Sequence, residues 1–539
     1  MDTPSLPSAA STTHTVRDAT VALLRSLGMT TIFGNPGSTE LAFFRDWPDD
    51  FRYILALQES CAVAMADGFA QSTRNAAFVN LHSAAGVGHA LGSVFTAFRN
   101  QTPLVITAGQ QTRAMQPTEP FLWATDAASF PKPYVKWSCE PARAQDVPAA
   151  IARAYYVAMQ RPCGPTFVSI PADDWEATAE PVAPRTVSFE FAPDPAALQQ
   201  IADALNACER PALVVGPAVD QDNAWDAAVA LAERLQAAVW VSPKASRSSF
   251  PEDHPLFAGF LQPVRQLVAQ KLAGYDVVVV LGAPIFTYHV HTEGPFVPEG
   301  TRLYQIIDDP QAVAWAPVGS SVLATMRLGI TQLLDLVRPT RRPAPDGLRA
   351  QPCEMEASDP ITGPFVMQAI ARTMSPDAIV VMEAPSHEND VHSYLPIRRS
   401  ASFFTSASGG LGYGLPAASG IALADPARRV IAVLGDGSCM YAIQGLWSAV
   451  QHRLPVTFVV LHNQEYAALK AFSQMFNVGG FTGVDLPGID IATLANGYGS
   501  PSQRIKRARE LPAALSASFA SDGPMVLDVM VGSSESPLF

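Results

Sequence analysis

Apolar residues in this chain come in short, nearly continuous runs that stop at glycine-rich or polar turns, and segments of helical spacing follow many of these stops. Val430 to Leu434 is one such run. It ends at Gly435-Asp436-Gly437-Ser438; Met440 to His452 then places Ile443, Leu446, Trp447 and Val450 on one face, Pro455 breaks the pattern, and Val456 to Leu461 forms a second run ending at Asn463. Short apolar runs bounded by turns read as strands buried on both faces, so the segment predicts a βαβ unit: two parallel strands joined by a crossover helix. The C-terminal strand ends of such a unit lie side by side, which brings Asp436 and Asn463 together at the mouth of the sheet.

The same rhythm recurs upstream. Thr15 to Leu27 and Ser60 to Gln71 are helical in pattern. Thr31 to Phe33, Arg52 to Leu57, Ala76 to Leu81, Leu104 to Ala108 and Pro165 to Ile170 read as strands, and three of their ends deliver Ser38, Glu59 and His82 to one edge. A Pro-rich linker, Pro181 to Asp194, leads to further strands at Ala212–Val215, Ala238–Val241, Val277–Leu281 and Leu303–Ile307. A second linker, Arg338 to Pro364, precedes Ala378–Met382, the glycine-rich Gly409-Gly410-Leu411-Gly412-Tyr413-Gly414, and the segment described first. Alternating strand, small-residue turn and helix predicts α/β architecture with three doubly wound parallel-sheet domains, over 14–180, 195–338 and 364–539. Residues 1–13, rich in Ser, Thr and Pro, read as a disordered tail. The middle domain lacks Gly-x-Gly-x-x-Gly, so a dinucleotide fingerprint is missing; Asp308 reads as a solvated strand-end residue rather than a ribose ligand.

Composition narrows the class. With 48% hydrophobic and only 16% charged residues, the chain suits a large, well-buried enzyme that also hides surface between subunits. A net charge of −13 argues against nucleic acid and anionic membranes as partners, and no apolar run approaches a membrane span. Cys61, Cys139, Cys163, Cys208, Cys353 and Cys439 are scattered without paired spacing, which reads as reduced, buried thiols in a cytoplasmic protein.

Asp436 and Asn463 offer hard oxygen donors beside a glycine-flanked turn that opens a helix. Mg²⁺ takes such ligands and completes its shell with phosphates, while helix N-terminal N–H groups such as those of Gly437 and Ser438 suit a phosphate. The bland reading of Asp-Gly alone is an N-cap; the spacing to Asn463 favours a magnesium diphosphate site.

Gly435-Asp436-Gly437 followed by Asn463 at this separation resembles the thiamine diphosphate motif of the decarboxylase and acetolactate synthase superfamily. Phe33–Glu40, Phe51–Glu59, Asn80–Gly86, Thr107–Met115 and Gly282–His289 extend that resemblance, over essentially the whole chain after residue 13, to the benzoylformate decarboxylases within it. The resemblance implies that Glu59 activates the cofactor through its aminopyrimidine, that Leu411 wedges the cofactor into a bent shape, and that Gly409 offers it a backbone carbonyl. It implies that Asp436, Asn463 and the backbone carbonyl of Glu465 bind Mg²⁺. By the same resemblance His82 and His289 relay protons, with His291 a rival to His289, Ser38 contacts the substrate carboxylate, and Ala468 and Leu469 line the acyl pocket. The implied reaction is decarboxylation of an aromatic 2-oxo acid through the cofactor ylide, benzoylformate giving benzaldehyde, in a homotetramer with active sites at subunit interfaces. A carboligase or aldehyde lyase, a decarboxylase of aliphatic 2-oxo acids, and a non-catalytic protein that kept the fold are the alternatives. Departures from the pattern are His462 for an asparagine, Ala471 for an aromatic residue, and Pro385-Ser386-His387-Glu388-Asn389 where a small Ser/Thr run is expected.

Overall fold

The computed structural model of the chain describes residues 14–533 apart from 341, 346, 350 and 351; the expected N-terminal tail lies outside the described residues. Three six-stranded sheets, each wholly parallel, form three α/β bodies. The first runs, edge to edge, Arg52–Leu55, Thr31–Gly34, Ala77–Leu81, Leu104–Gln110, Thr166–Pro171, Ser138–Cys139. The third runs Phe403–Thr405, Ile379–Glu383, Val430–Gly435, Val456–His462, Met525–Met530, Ser502–Ile505, the same topology. The middle sheet differs: Phe257–Phe260, Ala238–Val241, Pro211–Val215, Val277–Leu281, Arg302–Ile307, Ser320–Leu323, the strand order of a dinucleotide-binding fold without its glycine fingerprint.

Central strands are buried along their whole length because helices cover both faces, which is why their sequences read as continuous apolar runs. The first and third bodies share one core. The helix Glu59–Thr73 packs on the helix Gly414–Ala424, and a Cβ at Gly68 would lie 2.2 Å from the Ala417 carbonyl oxygen, one at Gly420 1.9 Å from that of Met65. Glycines at both positions let the two backbones touch.

The crossover after Val430–Gly435 departs from its expected form. A short helix, Asp436–Met440, starts directly on the aspartate; the chain then turns and restarts as Gly445–Gln451. No disulfide forms. Cys61, Cys163, Cys208 and Cys439 are buried, but Cys139 is half-buried and Cys353, in the second linker, is exposed, so the reading of six buried thiols fails there. Asp308 corrects another expectation: it is buried. No helix among the described residues is long and apolar enough to cross a membrane.

Candidate active site

Asp436 and Asn463 do meet. Their strands pair with Gly435 opposite Leu461, and Asp436 Oδ2 accepts a hydrogen bond from the Gln464 N–H at 2.6 Å while Oδ1 accepts from Gly437 N–H at 2.7 Å. Burial raises the Asp436 carboxyl above its ordinary range. Asn463 Oδ1 accepts from Glu465 N–H at 3.1 Å. Lys470 pairs with Oε2 of the Glu465 carboxylate, and the backbone carbonyl of Glu465 is the further oxygen beside Asn463. A Cβ at Gly437 would lie 2.5 Å from the Tyr466 ring, so a larger residue there would have to displace that ring. The donor set is one carboxylate, one amide oxygen and one carbonyl, all hard oxygens, and it suits a magnesium ion that completes its shell on phosphate.

His462, the departure beside Asn463, turns into the domain. It is buried, with Nδ1 2.7 Å from Asp528, and that hydrogen bond raises its pKa.

The glycine-rich turn at 409–414 is held from below. Glu383, buried at the end of its strand, accepts hydrogen bonds from the N–H groups of Gly412 (2.6 Å), Tyr413 (3.2 Å) and Gly414 (2.8 Å). Burial pushes its carboxyl up to about 7. Gly409 (φ +72°) and Gly412 (φ +99°) occupy the left-handed region that glycine adopts freely. Leu411 is half-buried between them, and Gly409 is exposed.

At the first domain's edge, His82 caps the helix Ser83–Arg99, and Ser38 is exposed at the start of a 3₁₀ turn, Ser38–Glu40. His82 Nδ1 lies 2.9 Å from Glu40 Oε2 and 3.1 Å from Thr39 Oγ1. Glu59 opens its own helix, packs over Gly86 in the first turn of the His82-capped helix, and bonds His89 Nδ1 at 3.1 Å. Ser38, Glu59 and His82 are therefore neighbours, as their strand ends require.

His289, in the loop after Val277–Leu281, reaches the third domain, with its ring 4.9 Å from that of Phe472 on the helix Ala467–Met475. Partial burial lowers its pKa, and the nearby Lys244 ammonium adds to this. His291 is largely exposed and faces Glu293 at 3.9 Å. Ala468 is half-buried and Leu469 exposed on that helix; Ala471 leaves room, and Phe472, one position on, supplies a ring. His387 is buried, with Nδ1 bonded to Asp390 Oδ2 at 2.7 Å and its ring pressed against Gly363. Glu388 pairs with Lys244 at 2.7 Å, beside His289.

Sequence reasoning missed Glu40, Thr39, Glu383 and Phe472. Glu383 is an acid at the end of an apolar run, the same signal that exposed Asp436. Glu40 lies three residues after Gly37 and bonds its N–H, the acid half of a capping box.

Two rulers show what one chain does not join. Glu59 sits over Gly86, whereas a Cβ at Gly410 would lie 3.6 Å from Thr96 Oγ1. Gly86 and Thr96 are ten residues apart on one helix, about 15 Å at 1.5 Å per residue. Similarly, Tyr413 bonds Gln71, near the far end of the helix that Glu59 begins.

This assembly, two like α/β bodies that share a core and carry acidic and glycine-rich strand ends, with a third body of different strand order between them in sequence, is that of a thiamine diphosphate enzyme. Three family models match in order: the thiamine pyrophosphate enzyme N-terminal TPP binding domain over residues 14–130, the central domain over 198–333 and the C-terminal TPP binding domain over 384–529. Benzoylformate decarboxylase of Pseudomonas aeruginosa is 43% identical over 519 residues, covering 96% of this chain and 98% of that protein. The acetolactate synthase large subunit of Haemophilus influenzae is 25% identical, covering 96% and 94%. Among solved structures, benzoylformate decarboxylase from Polynucleobacter necessarius is 41% identical with a TM-score of 0.95, covering 97% of this chain and 100% of that one. The thiamine diphosphate-dependent 4-hydroxybenzoylformate decarboxylase of Rhodococcus jostii is 39% identical with a TM-score of 0.94, at the same coverage. The chain belongs to the thiamine pyrophosphate enzyme family, within the branch that holds the benzoylformate decarboxylases. Its cofactor is thiamine diphosphate.

Proposed function

We propose that this chain decarboxylates an aromatic 2-oxo acid, benzoylformate above all, to carbon dioxide and the aldehyde, with thiamine diphosphate and Mg²⁺ bound. The observation that carries this reading is the pair of histidines, His82 at one sheet edge and His289 against the Phe472 ring, in a chain so similar end to end to a benzoylformate decarboxylase.

Bound thiamine diphosphate supplies a carbon nucleophile for the ketone and an electron sink for the departing carboxylate. Asp436, Asn463 and the Glu465 carbonyl would hold the magnesium and, through it, the diphosphate. Leu411, in the turn that Glu383 anchors, would pack on the cofactor, with the Gly409 carbonyl as a hydrogen-bond acceptor. Glu59 would meet the pyrimidine edge and serve there as the proton-transferring carboxyl. Ser38 presents an exposed hydroxyl for the substrate carboxylate, and His82 and His289 accept and return protons, work for which imidazole suits neutral pH. Phe472 and Leu469, with the space left by Ala468, give an aryl group an apolar wall.

The separation of Glu59 from the glycine-rich turn supports a site shared between two copies, the Glu59 edge of one meeting the diphosphate site of the other. Large apolar side chains exposed at both edges, Leu41, Leu57 and Phe121 on one and Tyr441, Leu469 and Phe476 on the other, fit burial against a second copy in a homotetramer. The unpaired thiols suit a reducing, cytoplasmic setting.

Carbon dioxide release from a panel of 2-oxo acids tests the reading. Benzoylformate and its ring-substituted analogues are expected to exceed pyruvate in kcat/KM by at least about 100-fold, roughly 3 kcal/mol of apolar contact. A preference for pyruvate would overturn the aromatic assignment.

A further inference from the structure

Glu40 is 1% exposed, and its acceptor capacity is fully used. Oε1 accepts hydrogen bonds from Gly109 N–H at 2.9 Å and Thr39 Oγ1–H at 2.6 Å; Oε2 accepts from Gly37 N–H at 3.0 Å and faces His82 Nδ1 at 2.9 Å. A Cβ at Gly37 would lie 2.0 Å from His82 Nδ1, and one at Gly109 would lie 2.2 Å from Glu40 Oε1. Two positions at separate strand ends thus lack side chains where the carboxylate and imidazole need the room. Burying a carboxylate is costly unless its lone pairs are satisfied, and three of these four partners belong to the scaffold rather than to the histidine. The scaffold fixes Glu40, and Glu40 then fixes His82.

The bond directions decide the tautomer. Thr39 spends its hydroxyl hydrogen on Glu40 Oε1, so its oxygen turns a lone pair to Nδ1 at 3.1 Å. Nδ1 therefore faces two acceptors and carries the proton, and Nε2 is left as the free acceptor of the ring.

We infer that Glu40 is a positioning residue of the reaction: backed by Thr39, it holds His82 in the Nδ1–H tautomer so that Nε2 meets the substrate as a proton acceptor. This rests on the role given above to His82, and the test keeps the two apart. The variants are Glu40→Gln and Thr39→Val, each made alone and in a His82→Ala background, with kcat and KM measured on benzoylformate for the holoenzyme. His82→Ala is expected to lower kcat on the order of 10²–10⁴-fold. Glu40→Gln in the wild-type background is expected to lower it at least about tenfold, as loss of an outer group that orients a histidine does, with cofactor content unchanged. In the His82→Ala background the same change is expected to cost less than about twofold, because two residues acting through one group are not additive. An equal factor in both backgrounds would overturn the inference, whereas a fully active His82→Ala would overturn the role of His82 itself. Should Glu40→Gln fail to fold, Thr39→Val, nearly isosteric, carries the comparison: a loss of a few fold is expected, confined to the wild-type background, and its persistence without His82 overturns the inference. Solid-state ¹⁵N spectra of histidine-labelled enzyme give a readout apart from activity. The signal lost in His82→Ala is expected at the Nδ1–H position in wild type and displaced in Glu40→Gln; an unmoved signal contradicts the inference.

Discussion

Asp308 closes the strand Arg302–Ile307, where a polar residue ordinarily meets water; here it is 1% exposed and neither carboxylate oxygen has a hydrogen-bond partner. Burial pushes its carboxyl up to about 7, with the Asp222 charge adding to the rise and Arg161 opposing it. The sign for stability follows. The folded state holds a proton that the unfolded chain releases near pH 4, so stability falls as pH climbs from about 4 to 7 and levels off above. Asp308→Asn, isosteric and neutral, is expected to match wild type near pH 4 and to exceed it at pH 8, by at most about 4 kcal/mol for a rise of that size. Chemical denaturation at the two pH values measures the difference, and equal stabilities at pH 8 would show that Asp308 ionises freely in the fold. The sequence could not reveal this residue, because an acid after an apolar run looks the same whether water or a neighbouring domain covers it. Glu40 was hidden for a related reason: its partners Gly109 and His82 are distant in sequence.

At the scale of elements, the interior strands of the sheets were legible with one exception, because burial on both faces writes them as apolar runs. The edge strands Ser138–Cys139, Phe257–Phe260, Ser320–Leu323, Phe403–Thr405 and Ser502–Ile505 were not, since a strand with one neighbour needs less apolar length. Met525–Met530, an interior strand, was missed through the aspartate at its centre, which pairs with His462 and Arg504. The candidate site was legible where it rests on strand ends, as at Asp436, Asn463, Ser38 and His82. Its supports were not. Glu383 carries three backbone N–H groups at the start of the helix Gly414–Ala424 and so sets the height of Leu411. Glu383→Gln turns an amide N–H toward at least one of these donors, and a bond to a charged group is worth about 1.5–3 kcal/mol. A lower Tm together with a weaker Kd for thiamine diphosphate is expected; a lower Tm with unchanged cofactor affinity would detach Glu383 from the wedge.

At the scale of the whole molecule, the first and third bodies pack through the helices Glu59–Thr73 and Gly414–Ala424, and this packing sets Glu59 apart from the glycine-rich turn of its own chain. On the proposed composite site, the catalytic half that one chain presents is completed by the diphosphate half of another. Two inactive variants test this directly. Glu59→Gln loses the activating carboxyl and Asp436→Ala loses the metal, so each homo-oligomer is expected to release almost no carbon dioxide from benzoylformate. After dissociation and equal remixing, about half of the pairs formed are mixed, and each mixed pair holds one site with both groups intact, so roughly a quarter of wild-type activity is expected to return with thiamine diphosphate and Mg²⁺ present. No recovery in remixed samples shown by mass to contain mixed oligomers would contradict the shared site.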